Sequence, residues 1–328
     1  MMRSLALAEE LLDRGAEVVF VCDSHTVPWA NDQILSRDIA VEPAVWTPAE
    51  HLELFGRLGL DAVVFDSYDL DHYVYEAVRR SGLTTLAIVD GELRGAEADV
   101  FVDQNLGSEL DDPRLPAGAT RLAGLDYVLL RSDVLSRRPA DTPGIATHGH
   151  EVPRVFAFFG GTDAFGAGPH VVAALAATGV PFEATVVAPR PELVEAIEAV
   201  ALGPGQRVDT TGPTSQLAAA VVGSDLALSA SGTSTWELLC LGATAGLVCV
   251  ADNQVMGYER TIATGAAAGV GVLSDLRSDP GSAAPVLRRL LTDPAERARL
   301  ASAGWRLVDG KGRARVADQL LDLVQRSS

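Results

Sequence analysis

Two loops rich in glycine and hydroxyl side chains carry the strongest chemical signals in the sequence. The first, Gly160-Gly161-Thr162-Asp163, follows the apolar run RVFAFF and precedes a helical segment. Its two glycines let the backbone approach a ligand closely, and amides at the start of a helix point towards an anion such as phosphate. A tight strand-to-helix turn needs glycines in the same way, so both interpretations stay open.

The second loop, Ser229–Glu237, also follows an apolar strand and runs into a helix. Glu237, in the first turn or so of that helix, could accept two ribose hydroxyls. The loop also offers hydroxyl and amide groups that suit a diphosphate, at Ser231, Gly232, Thr233 and Ser234. A cluster of helix-capping residues is the alternative. Neither loop reads Gly-x-Gly-x-x-Gly, so the dinucleotide-binding fingerprint is absent.

Two further polar segments follow apolar runs. Asn253-Gln254 comes shortly after GLVCV, and its amides offer donors and acceptors that suit sugar hydroxyls or acetamido groups. An ordinary surface loop is the alternative for this pair. The segment Asp66–Asp71, which contains Tyr68, ends the run AVVFD. Asp69-x-Asp71 within it is typical of the metal-binding pair of one glycosyltransferase class, but helix capping explains it more simply.

The composition excludes several classes of protein. Asp and Glu number 44 against 26 Lys and Arg, and the net charge of −18 makes nucleic acid an unfavourable partner. The only lysine, Lys311, precedes Gly312, so no Gly-Lys-Ser/Thr phosphate loop exists. No apolar stretch approaches the ~20 residues of a membrane span, and no signal peptide is recognisable, so we expect a cytoplasmic protein. His148 and His150 have no third ligand nearby, which argues against zinc.

The elements that must position these residues alternate between strand and helix. Such alternation predicts an α/β protein with parallel sheets, in two doubly wound Rossmann-like domains facing across a cleft. We assign residues 1–135 to the first domain, 136–152 to a turn-rich linker, and 153–328 to the second domain with its terminal helices. Ligands of such sheets bind beyond the carboxyl ends of the strands, so the cleft is the expected site. The first domain opens inside a helix, so its first strand is missing from the expected pattern.

The residues resemble a known family over nearly the whole chain. Six segments occur in the order and spacing of PseG/SpsG-like proteins: Arg3–Ala8, Asp66–Asp71, Tyr127–Arg131, Gly160–Asp163, Ser229–Glu237 and Asn253-Gln254. This family includes the UDP-2,4-diacetamido-2,4,6-trideoxy-altropyranose hydrolase of pseudaminic acid synthesis and its spore-coat polysaccharide relatives. The resemblance implies a GT-B glycosyltransferase fold and a UDP-activated amino-deoxy sugar as substrate.

The resemblance also implies roles for particular residues. UDP would lie on the second domain, with its diphosphate near Gly160–Thr162 and Ser231–Ser234 and its ribose on Glu237, and Asp163 would belong to the same nucleotide-binding set. Tyr68, Asn253 and Gln254 would face the sugar, with Tyr68 and Asn253 in the catalytic set. No metal and no cofactor are expected in this class.

Family members begin with a strand and a Gly-x-Gly-His-x-Met-Arg loop, whose histidine is placed to activate water. Met1-Met2-Arg3 matches only the last three positions of that loop. We therefore expect the strand and the histidine to lie ahead of Met1. Three functions remain open: a hydrolase of the UDP-sugar, a glycosyltransferase that passes the sugar to a small-molecule or glycan acceptor, and a UDP-sugar-binding protein without turnover.

Overall fold

The computed structural model describes residues 1–23, 28–144 and 150–327. Contacts divide the chain into two units. Unit 1 comprises Met1–Ser132 together with the chain from Gly310 onwards, and unit 2 comprises Asp133–Asp309.

Unit 1 alternates strands and helices, as the sequence predicts. Its helices are α1 (Met2–Asp13), α2 (Pro28–Leu35), α3 (Pro48–Leu58) and α4 (His72–Arg80). Its strands are β1 (Val19–Val21), β2 (Ala40–Glu42), β3 (Ala62–Phe65), β4 (Thr84–Ile88), β5 (Val100–Asp103) and β6 (Thr120–Ala123). Local signals set the boundaries: α3 begins at a capping box of Thr47 and Glu50 and ends at Gly59 in the left-handed conformation.

The strands of unit 1 form two separate parallel groups. β3, β4, β5 and β6 pair in that order, whereas β1 pairs with β2. Helix α1 packs on both groups, because Leu7 lies in one apolar cluster with Val64 of β3 and Leu5 lies in another with Phe20 of β1. In the described part of the chain, β1 and β3 therefore each keep one edge without a partner strand.

Unit 2 is a doubly wound domain around one parallel sheet. After α5 (Ser132–Leu135) its strands are β7 (Arg154–Phe158), β8 (Phe182–Val187), β9 (Gln206–Thr211), β10 (Leu226–Ala230), β11 (Ala245–Cys249) and β12 (Ala268–Val272). Its helices are α6 (Ala167–Ala177), α7 (Pro191–Glu198), α8 (Leu217–Val222), α9 (Ser234–Cys240), α10 (Val255–Ala263), α11 (Leu273–Ser278), α12 (Ala284–Thr292) and α13 (Pro294–Leu307). The strand order is β12-β11-β10-β7-β8-β9.

The last helix, α14 (Gly312–Ser327), does not belong to unit 2. It packs on α1, and its Val316, Ala317 and Leu320 are buried in the cluster that α1 shares with β4 and β5. Arg313 reinforces this packing with ion pairs to Glu9 and Glu10 of α1. The assignment of all residues from 153 to 328 to the second domain is therefore wrong for α14, because this helix buries its apolar face against unit 1.

Candidate functional site

The two predicted loops of unit 2 lie side by side at the turning point of its sheet. β7 and β10 are neighbours, with Phe158 opposite Ser229, although β8 and β9 separate them along the chain. The chain thus runs from β7 to one side of the sheet and from β10 to the other. Such a switch point opens a crevice at the carboxyl ends of the strands, which is where doubly wound domains bind ligands.

The first loop is shaped by its glycines and by Asp163. Gly160 has φ +77° and so needs glycine for the turn, whereas Gly161 has no such φ and nothing lies within 4 Å of where its Cβ would be. Thr162 is exposed. Gly161 and Thr162 therefore leave open space at the switch point, as an approaching ligand requires.

Asp163 holds this loop from inside. It adopts φ +41°, it is 2% exposed, and its carboxylate accepts the amides of Ala167 at 2.8 Å and Gly168 at 3.0 Å. The sequence predicts Asp163 to be among the nucleotide contacts. Because both carboxylate oxygens accept amides at the start of α6, we infer that this side chain fixes the conformation of the loop.

The second loop carries hydroxyls that do not cap the helix. Thr233, at the N-cap of α9, makes no side-chain capping hydrogen bond. The amides of Ser231 and Gly232 donate to Val248 and Ala230, while Ser234 and Glu237 are half-buried and Thr233 is exposed. The capping interpretation of this cluster therefore lacks the hydrogen bond that would define it.

Sequence reasoning missed two hydroxyls in the same segment. Ser229 Oγ and Thr235 Oγ1 are buried and have no hydrogen-bond partner among the described atoms. Buried hydroxyls without partners are uncommon, and these two flank the loop at the switch point. Ser229 lies near the end of β10 and Thr235 at the start of α9, as the sequence indicates, but their lack of a hydrogen-bond partner depends on the fold.

The amide pair lies at the next strand end. β11 pairs with β10, and Asn253 and Gln254 follow β11 at the same sheet edge. Gln254 Oε1 accepts the amide of Val250 at 3.2 Å, and its Nε2 lies 3.6 Å from where a Cβ of Gly232 would be. Asn253 is exposed. The structure thus brings the predicted residues of unit 2 to neighbouring strand ends.

Unit 1 has its own polar cluster at the carboxyl ends of β3 and β4. Buried Arg3 reaches Asp66 Oδ1 through Nε (3.0 Å) and Nη2 (2.8 Å), and it reaches Asp90 Oδ1 through Nη1 (2.7 Å). Tyr68 donates its hydroxyl to Asp90, and Asn105 donates to the same carboxylate at 3.0 Å. Sequence reasoning named only Tyr68 for this place. Asp90 and Asn105 could have been predicted from their positions, since they follow β4 and β5 as Tyr68 follows β3.

The acid–base state of the cluster follows from its contacts. Burial raises the pKa of the Asp66 carboxyl, but hydrogen bonds from Arg3 and Ser4, with the charges of Arg3 and the Met1 amino group, outweigh it and lower the pKa to about 2. Burial likewise opposes ionisation of Asp90, and the hydrogen bond and charge of Arg3 again prevail and lower its pKa. Both carboxylates are therefore ionised at neutral pH around one buried guanidinium.

Because the pKa of Asp66 is lowered in the folded protein, the free energy of unfolding of unit 1 depends on pH. Asp66 titrates near 3.9 in an unfolded chain, so its contribution is present above that pH and is lost as the pH falls through about 2. We expect Asp66→Asn to reduce the free energy of unfolding at pH 7 by on the order of 2 kcal/mol. Urea denaturation at pH 7 and pH 2 measures this, and most of the difference should be lost at the lower pH. The exposed Asp322→Asn should match the wild type throughout; an Asp66 effect independent of pH would contradict the assignment.

Within residues 1–23, 28–144 and 150–327, no group of three or more His, Cys, Asp or Glu side chains could hold a metal ion. His150 bonds Asp225 at 2.9 Å, and His148 lies outside the described residues. No helix in this part of the chain has the length and apolar character needed to cross a bilayer.

Comparison with solved structures identifies the architecture. MurG from Acinetobacter baumannii superimposes with a TM-score of 0.69 at 16% identity, over 98% of this chain and 95% of that one. Arabidopsis thaliana UGT89C1 complexed with UDP gives 0.64 at 13% identity, over 100% and 96% of the two chains. The chain has the GT-B fold. A GT-B similarity of the same kind exists to a putative UDP-N-acetylglucosamine 2-epimerase from Listeria monocytogenes, with a TM-score of 0.67, 13% identity and coverage of 100% and 94%.

No protein-family model matches the chain, and no curated protein matches it. The GT-B comparisons therefore establish the fold alone.

Proposed function

We propose that this protein is a nucleotide-sugar enzyme that releases UDP from a UDP-activated amino-deoxy sugar by attack of water at the anomeric carbon. The observation that carries the proposal is the convergence of Gly160–Thr162 and Ser231–Ser234 at the switch point between β7 and β10. Open glycine backbone and uncommitted hydroxyls at one sheet edge suit a diphosphate. UDP is the ligand of the GT-B structure of UGT89C1 cited above, which supports this choice.

The other residues of unit 2 have separate parts in this proposal. Glu237, half-buried in the first turn of α9, accepts the two ribose hydroxyls. Asn253 and Gln254, at the next strand end, bind the sugar hydroxyls or acetamido groups. Loop amides and hydroxyls stabilise the negative charge that develops on UDP as it leaves, which is how such a site lowers the barrier without a metal.

A glycosyltransferase is the second candidate, because the GT-B fold is shared with such enzymes. It would use the same UDP-sugar site and pass the sugar to an acceptor hydroxyl or amine. Fold does not separate the two, since the outcome depends on whether water or an acceptor reaches the anomeric carbon.

Incubation with a panel of UDP-sugars tests the proposal. Free sugar and UDP formed without an acceptor support the hydrolase, and turnover that requires an added acceptor supports the transferase. Binding of UDP without turnover under either condition supports the third possibility, a UDP-sugar-binding protein. Absence of UDP binding contradicts all three.

Replacing Glu237 should test the ribose assignment directly. We expect Glu237→Gln to weaken UDP binding about 10- to 100-fold, because hydrogen bonds to an ionised acceptor contribute about 1.5–3 kcal/mol. Isothermal titration calorimetry with UDP measures the change. The matched control is Glu195→Gln at an exposed position of α7, which should leave UDP binding unchanged. With 2′-deoxy-UDP the Glu237 substitution should cost less; an equal loss for both nucleotides would place Glu237 away from the ribose.

A further inference from the structure

Tyr68 donates its hydroxyl proton in a hydrogen bond within unit 1. The phenol bonds Asp90 Oδ2, and it must be the donor because an ionised carboxylate can only accept. Burial first, and then the hydrogen bond and charge of Asp90, raise the pKa of the Tyr68 hydroxyl above its usual value. The pair therefore exists as phenol and carboxylate at neutral pH.

Asp90 cannot easily turn away from Tyr68. Its Oδ1 accepts from Arg3 Nη1 at 2.7 Å and from Asn105 Nδ2 at 3.0 Å. Arg3 is fixed in turn by two bonds to Asp66, and the amide of Asn105 also bonds Asp103 Oδ1 at 2.9 Å. The carboxylate that accepts the hydrogen bond of the phenol is thus held by groups from α1 and from the segment after β5.

The rest of Tyr68 is open to a ligand. The residue is 55% exposed, and the guanidinium of Arg94 lies 4.6 Å from its ring centroid, with that of Arg3 at 6.0 Å. Because the hydroxyl proton points at Asp90, the phenol oxygen offers only lone pairs to anything that approaches it. A partner of this oxygen must bring its own proton.

We propose that Asp90 is a positioning residue that fixes Tyr68 as a hydrogen-bond acceptor, so that Tyr68 recognises a hydroxyl or N–H group of the sugar. Tyr68 then holds its ligand and supplies no proton to the leaving group. The identity of the ligand as a sugar rests on the proposed function, whereas the hold of Asp90 on Tyr68 does not.

The hold of Asp90 on Tyr68 is tested without any ligand. Tyrosine labelled with ¹³C at Cζ, with Tyr68 assigned by Tyr68→Phe, reports the titration of this phenol by NMR. The charged groups that face the phenol are Arg3, Arg94, Asp66 and Asp90. We expect the wild-type pKa to lie above the ordinary value and to fall in Asp90→Asn, because the negative charge is lost while Arg3 remains.

An unchanged titration in folded Asp90→Asn would overturn the proposal. If that variant does not fold, the wild type alone decides, since a pKa of Tyr68 at or below the ordinary value would overturn it equally. A raised value supports the committed proton.

Ligand binding tests the acceptor role of Tyr68. Isothermal titration calorimetry compares the binding of UDP-N-acetylglucosamine and of UDP to the wild type and to Tyr68→Phe. We expect Tyr68→Phe to bind the UDP-sugar about 3- to 10-fold more weakly than the wild type and to bind UDP equally well. Tyr73→Phe, at a tyrosine that is 59% exposed on α4, is the matched control and should change neither affinity. Equal weakening for both ligands, or none for the UDP-sugar, contradicts the acceptor role. Failure of the wild type to bind UDP would refute the proposed function, while the titration would still decide the role of Asp90.

Discussion

Replacing Gly312 with alanine should lower the free energy of unfolding by about 3 kcal/mol or more. A Cβ at this position would lie 2.3 Å from the carbonyl oxygen of Val128 and 2.6 Å from the carbonyl carbon of Tyr127. Both neighbours are backbone atoms, which cannot turn aside as a side chain can, so α14 must move off unit 1. Overpacking typically costs 1–3 kcal/mol, and a clash with backbone falls at or beyond the upper end.

Urea denaturation measures this loss, and limited proteolysis should cleave α14 sooner in Gly312→Ala than in the wild type. The control is Gly56→Ala in α3, where nothing lies within 4 Å of the new Cβ and alanine is the better helix former. Equal stability of Gly312→Ala and the wild type would show that α14 does not rest on this contact.

Much of the ligand-binding edge of unit 2 follows from the sequence. Alternation of apolar runs and helices predicts parallel strands, and parallel strands bring their carboxyl ends to one edge. The sequence alone therefore predicts that the loops at Gly160 and Ser231 lie at the carboxyl edge of the sheet. Strand order could not be predicted, because a sequence does not state that β10 lies beside β7, and this neighbourhood is what joins the two loops.

Other features depend on tertiary contacts that no local pattern encodes. The sequence indicates that Asp163 is a carboxylate in a loop. Only the fold shows that it is buried against the start of α6. Helix α14 is amphipathic, but its pattern does not say which core it covers. Arg3 and Asp90 are 87 residues apart, and their ion pair appears only when α1 is laid across the ends of β3 and β4.

The return of α14 to unit 1 has a consequence for synthesis on the ribosome. Unit 2 is one continuous stretch, Asp133–Asp309, so all of it is translated before α14. Unit 1 is made from Met1–Ser132 and the chain from Gly310 onwards, so its core lacks Val316, Ala317 and Leu320 until α14 has been translated. The strands of unit 1 are therefore translated before unit 2, whereas the helix that covers β4 and β5 is translated after it, so unit 1 can complete its core only once unit 2 has been made.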